Sequence, residues 1–259
     1  MMFDLTSATK AAEDDLGAII DLLASLTDDR WDAPVRCVGW RVSDLAAHVT
    51  GAGWGQAEGL RRAAAGITDL AVLDPPAARD PRSLLAELKE SRDKLMAALY
   101  DVQPSVLAGT VPLPFGLLPT QVALQVVALE YGFHRNDLEW ALGREVPLAE
   151  DMSATLLAIL PGLLPMLAGG SPVSAAGIVP AGQVSFRLVA PSGRLLVAHA
   201  EDGWSMAPDP GDAPVSCEVH GDDSSVALFV MGRIGADHPG LTVTDQATAR
   251  VFKQYFPGP

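Results

Sequence analysis

Positive charge and cysteine are both scarce in this chain of 259 residues: 18 Lys and Arg stand against 32 Asp and Glu, and there are 2 Cys. The formal charge of −14 makes a surface that repels phosphate backbones and anionic lipid headgroups, so neither nucleic acid nor a membrane is an expected partner. Cys37 and Cys217 lie far apart and neither belongs to a CxxC pair. That excludes a zinc ribbon and a dithiol redox motif, and two reduced structural thiols are expected. Long hydrophobic runs are missing too. The most apolar stretch, from Ala154 to Gly170, falls short of the roughly 20 residues that cross a bilayer and carries Pro161 and Pro165. It reads as a buried, kinked helix. The first residues, Met-Met-Phe-Asp-Leu-Thr, hold no basic stretch before an apolar run, so no secretory signal is expected and the cytoplasm is the expected compartment.

What is present is a folded, core-forming composition, 49% hydrophobic and 19% charged, long enough for two modest domains. The apolar residues Leu5, Leu16, Ile19, Ile20, Leu23 and Leu26 recur at helical spacing, and so do Val42, Leu45, Ala46 and Val49 in a segment that extends towards Ala64. Gly51, Gly53 and Gly55 in that second helix weaken it but permit close packing. A loop at Pro75, Pro76 and Pro81 precedes a third helix marked by Leu84, Leu85, Leu88, Leu95 and Leu99. A second proline-rich loop, with Pro104, Pro112, Pro114 and Pro119, leads to a fourth helix over about Thr120 to Leu142, which Gly143 is placed to cap. Four helices joined by such long loops suit a cross-connected bundle.

Gly169-Gly170-Ser171-Pro172 opens a stretch rich in Gly, Pro, Ser and Ala, and a domain boundary is expected near residue 170. Beyond it the apolar period becomes two. Val184, Phe186 and Leu188, then Leu195, Val197 and His199, then Val215, Cys217 and Val219 read as mainly antiparallel strands. Asp222 to Met231 and Asp245 to Phe256 read as helices. The predicted class is therefore α+β: a four-helix bundle over 1–170 and a small α+β domain over 171–259.

Glu130 and His134 stand four apart on the fourth helix, so they project from one face about one turn apart. His48 on the second helix supplies a third ligand if the two helices are neighbours, since bundle cores build metal sites from facing helices. Two imidazoles and a carboxylate suit zinc and leave one coordination position open. From spacing alone, Glu130 and His134 also read as a surface pair, and His48 as a hydrogen-bonded core histidine. An apolar setting favours the metal, because a buried carboxylate needs a partner or a cation.

The segments Trp31-Asp32-Ala33-Pro34, Cys37-Val38-Gly39-Trp40 and Val42-Ser43-Asp44-Leu45-Ala46-Ala47-His48 resemble the DinB-like mycothiol-dependent maleylpyruvate isomerases of actinobacteria. The likeness continues in Glu130-Tyr131-Gly132-Phe133-His134-Arg135-Asn136-Asp137 and in Ala141-Leu142-Gly143. The resemblance implies a divalent metal, zinc, on His48, Glu130 and His134, and mycothiol or a similar small thiol as cosubstrate. It also implies an acid at Asp137, which would orient a ligand imidazole or act on a substrate proton, against the alternative of an exposed helix acid.

His220-Gly221-Asp222-Asp223 and Met231-Gly232-Arg233 resemble the family's sterol-carrier-like second domain. There Arg233 would bind a substrate carboxylate, or else stand solvated at a helix end. The implied function is an enzyme acting on a small electrophilic substrate by cis-trans isomerisation or S-transfer. The rival from another class is a metal-stapled small-molecule or lipid binding protein without catalysis. Cys37, with no His near it in sequence, is expected to be structural.

Overall fold

The computed structural model describes residues 3–72, 80–170, 183–200, 203–211 and 213–255. The expected loop at Pro75 and Pro76 and the Gly/Pro-rich stretch beyond Gly170 lie outside them. By its contacts the chain divides into two units. One holds the described residues up to Val35 and Gly39–Val146; the other holds Arg36–Val38 and the described residues from Pro147 onward.

The first unit is a bundle of α1 (Leu5–Ala24), α2 (Val42–Ala64), α3 (Pro81–Tyr100) and α5 (Thr120–Ala141), with a short α4 (Pro104–Leu107). Local signals start the long helices. Asp4 caps α1 by accepting from the Ser7 amide while Ser7 Oγ accepts from the Asp4 amide, and Asp80 caps α3 ahead of Pro81. At the end of α5 the amides of Gly143 and Arg144 bond back to the carbonyls of Trp140 and Glu139, a Schellman closure.

The packing order around the bundle is α1, α3, α2, α5 and back to α1. It is held by fully buried leucines such as Leu16, Leu45, Leu84, Leu88, Leu95 and Leu99. Consecutive helices α1 and α2 therefore lie diagonally, and α2 and α5, distant in sequence, become neighbours. Close approach of α2 to α3 depends on Gly53, where a Cβ would stand 2.3 Å from Ser91 Oγ.

The proline-rich segment after α3 is not the plain loop expected. It forms α4 and a hairpin of β1 (Thr110–Leu113) and β2 (Gly116–Pro119), because Val111 and Leu113 have a place to bury against α2. Proline is tolerated in a two-stranded hairpin, whose strands are both edges.

The second unit holds α6 (Glu150–Gly170), a sheet of β3 (Val184–Ala190), β4 (Gly193–Ala200), β5 (Gly203–Pro208), β6 (Cys217–Gly221) and β7 (Leu241–Val243), and the helices α7 (Asp223–Val230) and α8 (Gln246–Tyr255). Sheet order is β5-β4-β3-β6-β7. All pairings are antiparallel except β3 with β6, which is parallel. The core centres on Phe252, whose ring stacks on Phe229 at 5.1 Å and meets Phe186 edge-on at 5.1 Å. Helix α6 packs against β5 and α7. Its last residue, Gly170, stands where the sequence pattern changes. Among the described residues no helix is long and apolar enough to cross a membrane.

Candidate metal centre

The adjacency of α2 and α5 brings His48 to the pair on the fourth helix. His48 sits in the second turn of α2, and its Nε2 lies 2.7 Å from Glu130 Oε1 on α5. His134, one turn further along α5, places its own Nε2 3.4 Å from the same oxygen. One ligand atom from each of the three residues lies within 4.8 Å of the others. His134 is buried, whereas the side chains of His48 and Glu130 keep 29% and 22% of their surface exposed, so the cluster has access to solvent from one side.

Asp137 is wholly buried, which removes the reading of an exposed helix acid. Its Oδ2 is 3.1 Å from His134 Nδ1. The carboxylate facing Nδ1 favours a proton on that nitrogen, so that a cation taking the place of any proton on Nε2 would find its lone pair there, the tautomer a metal ligand needs. Burial by itself pushes the Glu130 carboxyl up, but the charge of His48 and the hydrogen bond and charge of His134 outweigh it and hold the group well below the usual carboxylate range.

These residues fit a divalent cation. Donors at about 2.0–2.1 Å from a tetrahedral ion stand about 3.3 Å apart. The 3.4 Å separation of His134 from Glu130 already matches that spacing, and the 2.7 Å contact of His48 would open by about half an ångström, within the reach of a rotamer adjustment. Tyr131, next to Glu130 in sequence, turns instead into the bundle. Its hydroxyl donates to Gln56 Oε1 at 2.5 Å, and burial, with the negative charge of Glu130 added, pushes its pKa well up.

Arg233 belongs to the second unit. It follows α7, its amide bonds back to the Leu228 carbonyl, and its Nη1 donates to the Met231 carbonyl at 2.9 Å. The residue is buried, 6% exposed, and not the solvated helix-end group of the alternative reading. Asp222 caps α7 through the Ser225 amide. Both cysteines are buried and neither forms a disulfide.

One site residue was not singled out from the sequence. Trp40 brings its ring centroid to 4.9 Å from that of His48 and 6.1 Å from that of His134. The available signal was its place in the Gly39-Trp40 pair just ahead of α2.

Comparison with known proteins bears on the same residues. Residues 13–139 match the family described as "Mycothiol maleylpyruvate isomerase N-terminal domain", a span that includes His48, Glu130, His134 and Asp137. No curated protein sequence matches. Among solved structures, the chain is similar to the mycothiol-dependent maleylpyruvate isomerase, with 17% identity, a TM-score of 0.65 and 94% of each chain covered. It is similar in the same degree to a histidine-to-alanine mutant of such an isomerase, with a TM-score of 0.66. At that identity the likeness establishes the fold, an α+β chain with a helical bundle and a sterol-carrier-like sheet domain. The sequence match over residues 13–139 and the likeness of fold thus agree on the DinB-like mycothiol-dependent maleylpyruvate isomerase family.

Proposed function

We propose that this chain is a metal- and thiol-dependent enzyme acting on a small electrophilic substrate, with mycothiol as the thiol and zinc as the cation on His48, Glu130 and His134. The observation that carries the reading is the convergence of two imidazole nitrogens and a carboxylate oxygen within 4.8 Å. Two nitrogens and an oxygen suit zinc and leave a fourth coordination position open. When bound, the cation supplies Lewis acidity that keeps a thiol deprotonated near neutral pH.

The protein's own part is positioning. Asp137 fixes the ring of His134 and its tautomer, and within the second unit Arg233 is the candidate to hold a carboxylate, for which a guanidinium offers a bidentate fork. Addition of the thiol sulfur to an activated alkene makes the double bond single, and the adduct rotates. Loss of the same thiol then yields the geometric isomer, and retention yields an S-conjugate.

Isomerisation is the outcome that the match to this family favours. The test is turnover of activated alkenes by metal-replete protein with the thiol assayed before and after: a thiol that returns unconsumed marks isomerisation, and one consumed in step with product marks S-transfer. Absence of any thiol-dependent turnover over a broad substrate panel overturns the proposal.

A further inference from the structure

The His48, His134 and Trp40 rings form a cluster of three. The two imidazoles meet edge-on, 4.8 Å between centroids and 70° between planes. The indole lies nearly parallel to His134 at 16° and is tilted by 54° to His48. These separations lie within the range of interacting aromatic pairs.

The backbone around the indole is tied on both sides. The Val35 amide donates to the Trp40 carbonyl at 3.1 Å, and the Val42 amide donates to the Ala33 carbonyl at 3.0 Å. Pro34 bridges to Arg41, and the Arg41 amide donates to Asp44 Oδ2 at 2.9 Å, which joins the segment to the first turn of α2. Gly39 turns the chain just before the indole at a φ of 81°, a region that other residues reach at a cost. Trp40 is thus a large flat ring held at a fixed place, half-buried, against the two groups that must keep their planes if their nitrogens are to converge.

We infer that Trp40 is a positioning residue of the metal centre: its indole fixes the planes of His48 and His134 and screens that side of the imidazole pair from water. The inference rests on the metal reading above. An imidazole that donates a lone pair to a cation becomes electron-poor, and the face of an indole is the strongest aromatic partner for such a ring. Screening one side also disfavours extra water ligands, so a centre with three protein donors stays low-coordinate with its open position on the remaining side.

The test is titration of the metal-free, full-length protein with Co(II), following visible absorption and tryptophan emission in wild type, Trp40→Phe and Trp40→Ala. Wild type is expected to show the intense visible bands of a four-coordinate ion and a metal-dependent loss of emission. Trp40→Phe, which keeps a ring in place, is expected to retain the visible bands and lose most of the emission change, since the other four of the five tryptophans remain. Trp40→Ala is expected to bind about tenfold more weakly, equivalent to about 1.4 kcal/mol, with the visible bands weakened as water enters the coordination shell.

A Trp40→Ala protein with wild-type affinity and spectrum overturns the inference. If that variant fails to fold, Trp40→Phe decides: an emission change undiminished from wild type places the responding indole elsewhere and overturns it. Wild type that takes up no Co(II) overturns the metal reading itself, a result told apart from the others because no variant is needed to see it.

Discussion

The two units each hold an ionic cluster that is at least partly buried, and the clusters differ in the nature of their main positive partner. In the sheet unit, Arg187 donates through Nε to Asp209, through Nη1 to Glu218 and through Nη2 to the Ala213 carbonyl at 2.6 Å, while His220 Nε2 stands 2.9 Å from Glu218 Oε2. A guanidinium keeps its charge at every accessible pH. In the bundle, Glu130 and Asp137 face imidazoles, whose nitrogens hold either a proton or a metal. The first cluster is permanently compensated and serves the fold; the second can exchange what it holds and is equipped to be a site. Burial of charge alone does not separate function from structure, but the exchangeability of the counter-charge does.

The comparison breaks most visibly at the ligands. His134→Ala is expected to reduce bound metal from about one ion per chain to near none, because the two remaining protein donors hold zinc poorly. Elemental analysis of the purified variant beside wild type measures it, and metal retained in full would mean the ion sits elsewhere. Asp137→Asn keeps the shape of the side chain but removes the charge that faces His134 Nδ1. Metal affinity should fall about 10- to 100-fold, read by competition with a chromophoric chelator. Arg187→Met probes the other cluster. It leaves Asp209, fully buried, and Glu218 without their guanidinium, so the thermal midpoint should drop by several degrees while metal content stays at the wild-type level. Loss of metal in that variant would contradict the division of labour.

How far the sequence itself reveals these features follows from the range of the interactions involved. The i, i+4 relation of Glu130 and His134 is local and legible, as are the Asp4 and Asp222 caps and the closure at Gly143. The meeting of His48 with that pair depends on α2 lying beside α5 in the packing order, which no local pattern encodes; the resemblance of the two segments to a known family supplied it.

Helix periodicity located α1, α2 and α3 because each buries a stripe of mainly apolar residues, and α5 because apolar residues run along most of its sides. The hairpin within Thr110–Pro119 was hidden by its prolines, whose backbone role depends on whether a strand has a free edge. The parallel pairing of β3 with β6 was hidden because alternation reports which face is buried and not which way a neighbour runs. The place of Trp40 after Gly39 and ahead of α2 is also that of an ordinary staple, and only the ring distances reveal what it covers.

A further contrast appears in acid. Glu130 has a folded-state pKa well below its ordinary 4.5, so its charge stabilises the fold fully above the ordinary carboxylate value, and that contribution is lost as pH falls through the depressed one. The stability gap between metal-free wild type and Glu130→Gln should therefore narrow as pH falls below about 5, as thermal midpoints across a pH series would show. A gap that widens in acid would mean the carboxyl is protonated in the native state.

The smallest expected effect tests whether a polar group beside the site belongs to it. Tyr131 follows Glu130 directly, yet one residue along a helix turns the side chain by about 100°, and its hydroxyl is spent on Gln56 Oε1. Tyr131→Phe removes a donor and strands a buried acceptor, which should cost about 1–2 kcal/mol of stability. Replacing Gln56 by Leu as well removes the stranded acceptor and should return part of that loss, because deleting both partners of a buried hydrogen bond costs less than deleting one. Metal content should be that of wild type in both proteins. If Tyr131→Phe weakens metal binding as much as Asp137→Asn does, the hydroxyl acts on Glu130 through its field and the boundary between site and core must be redrawn to include it.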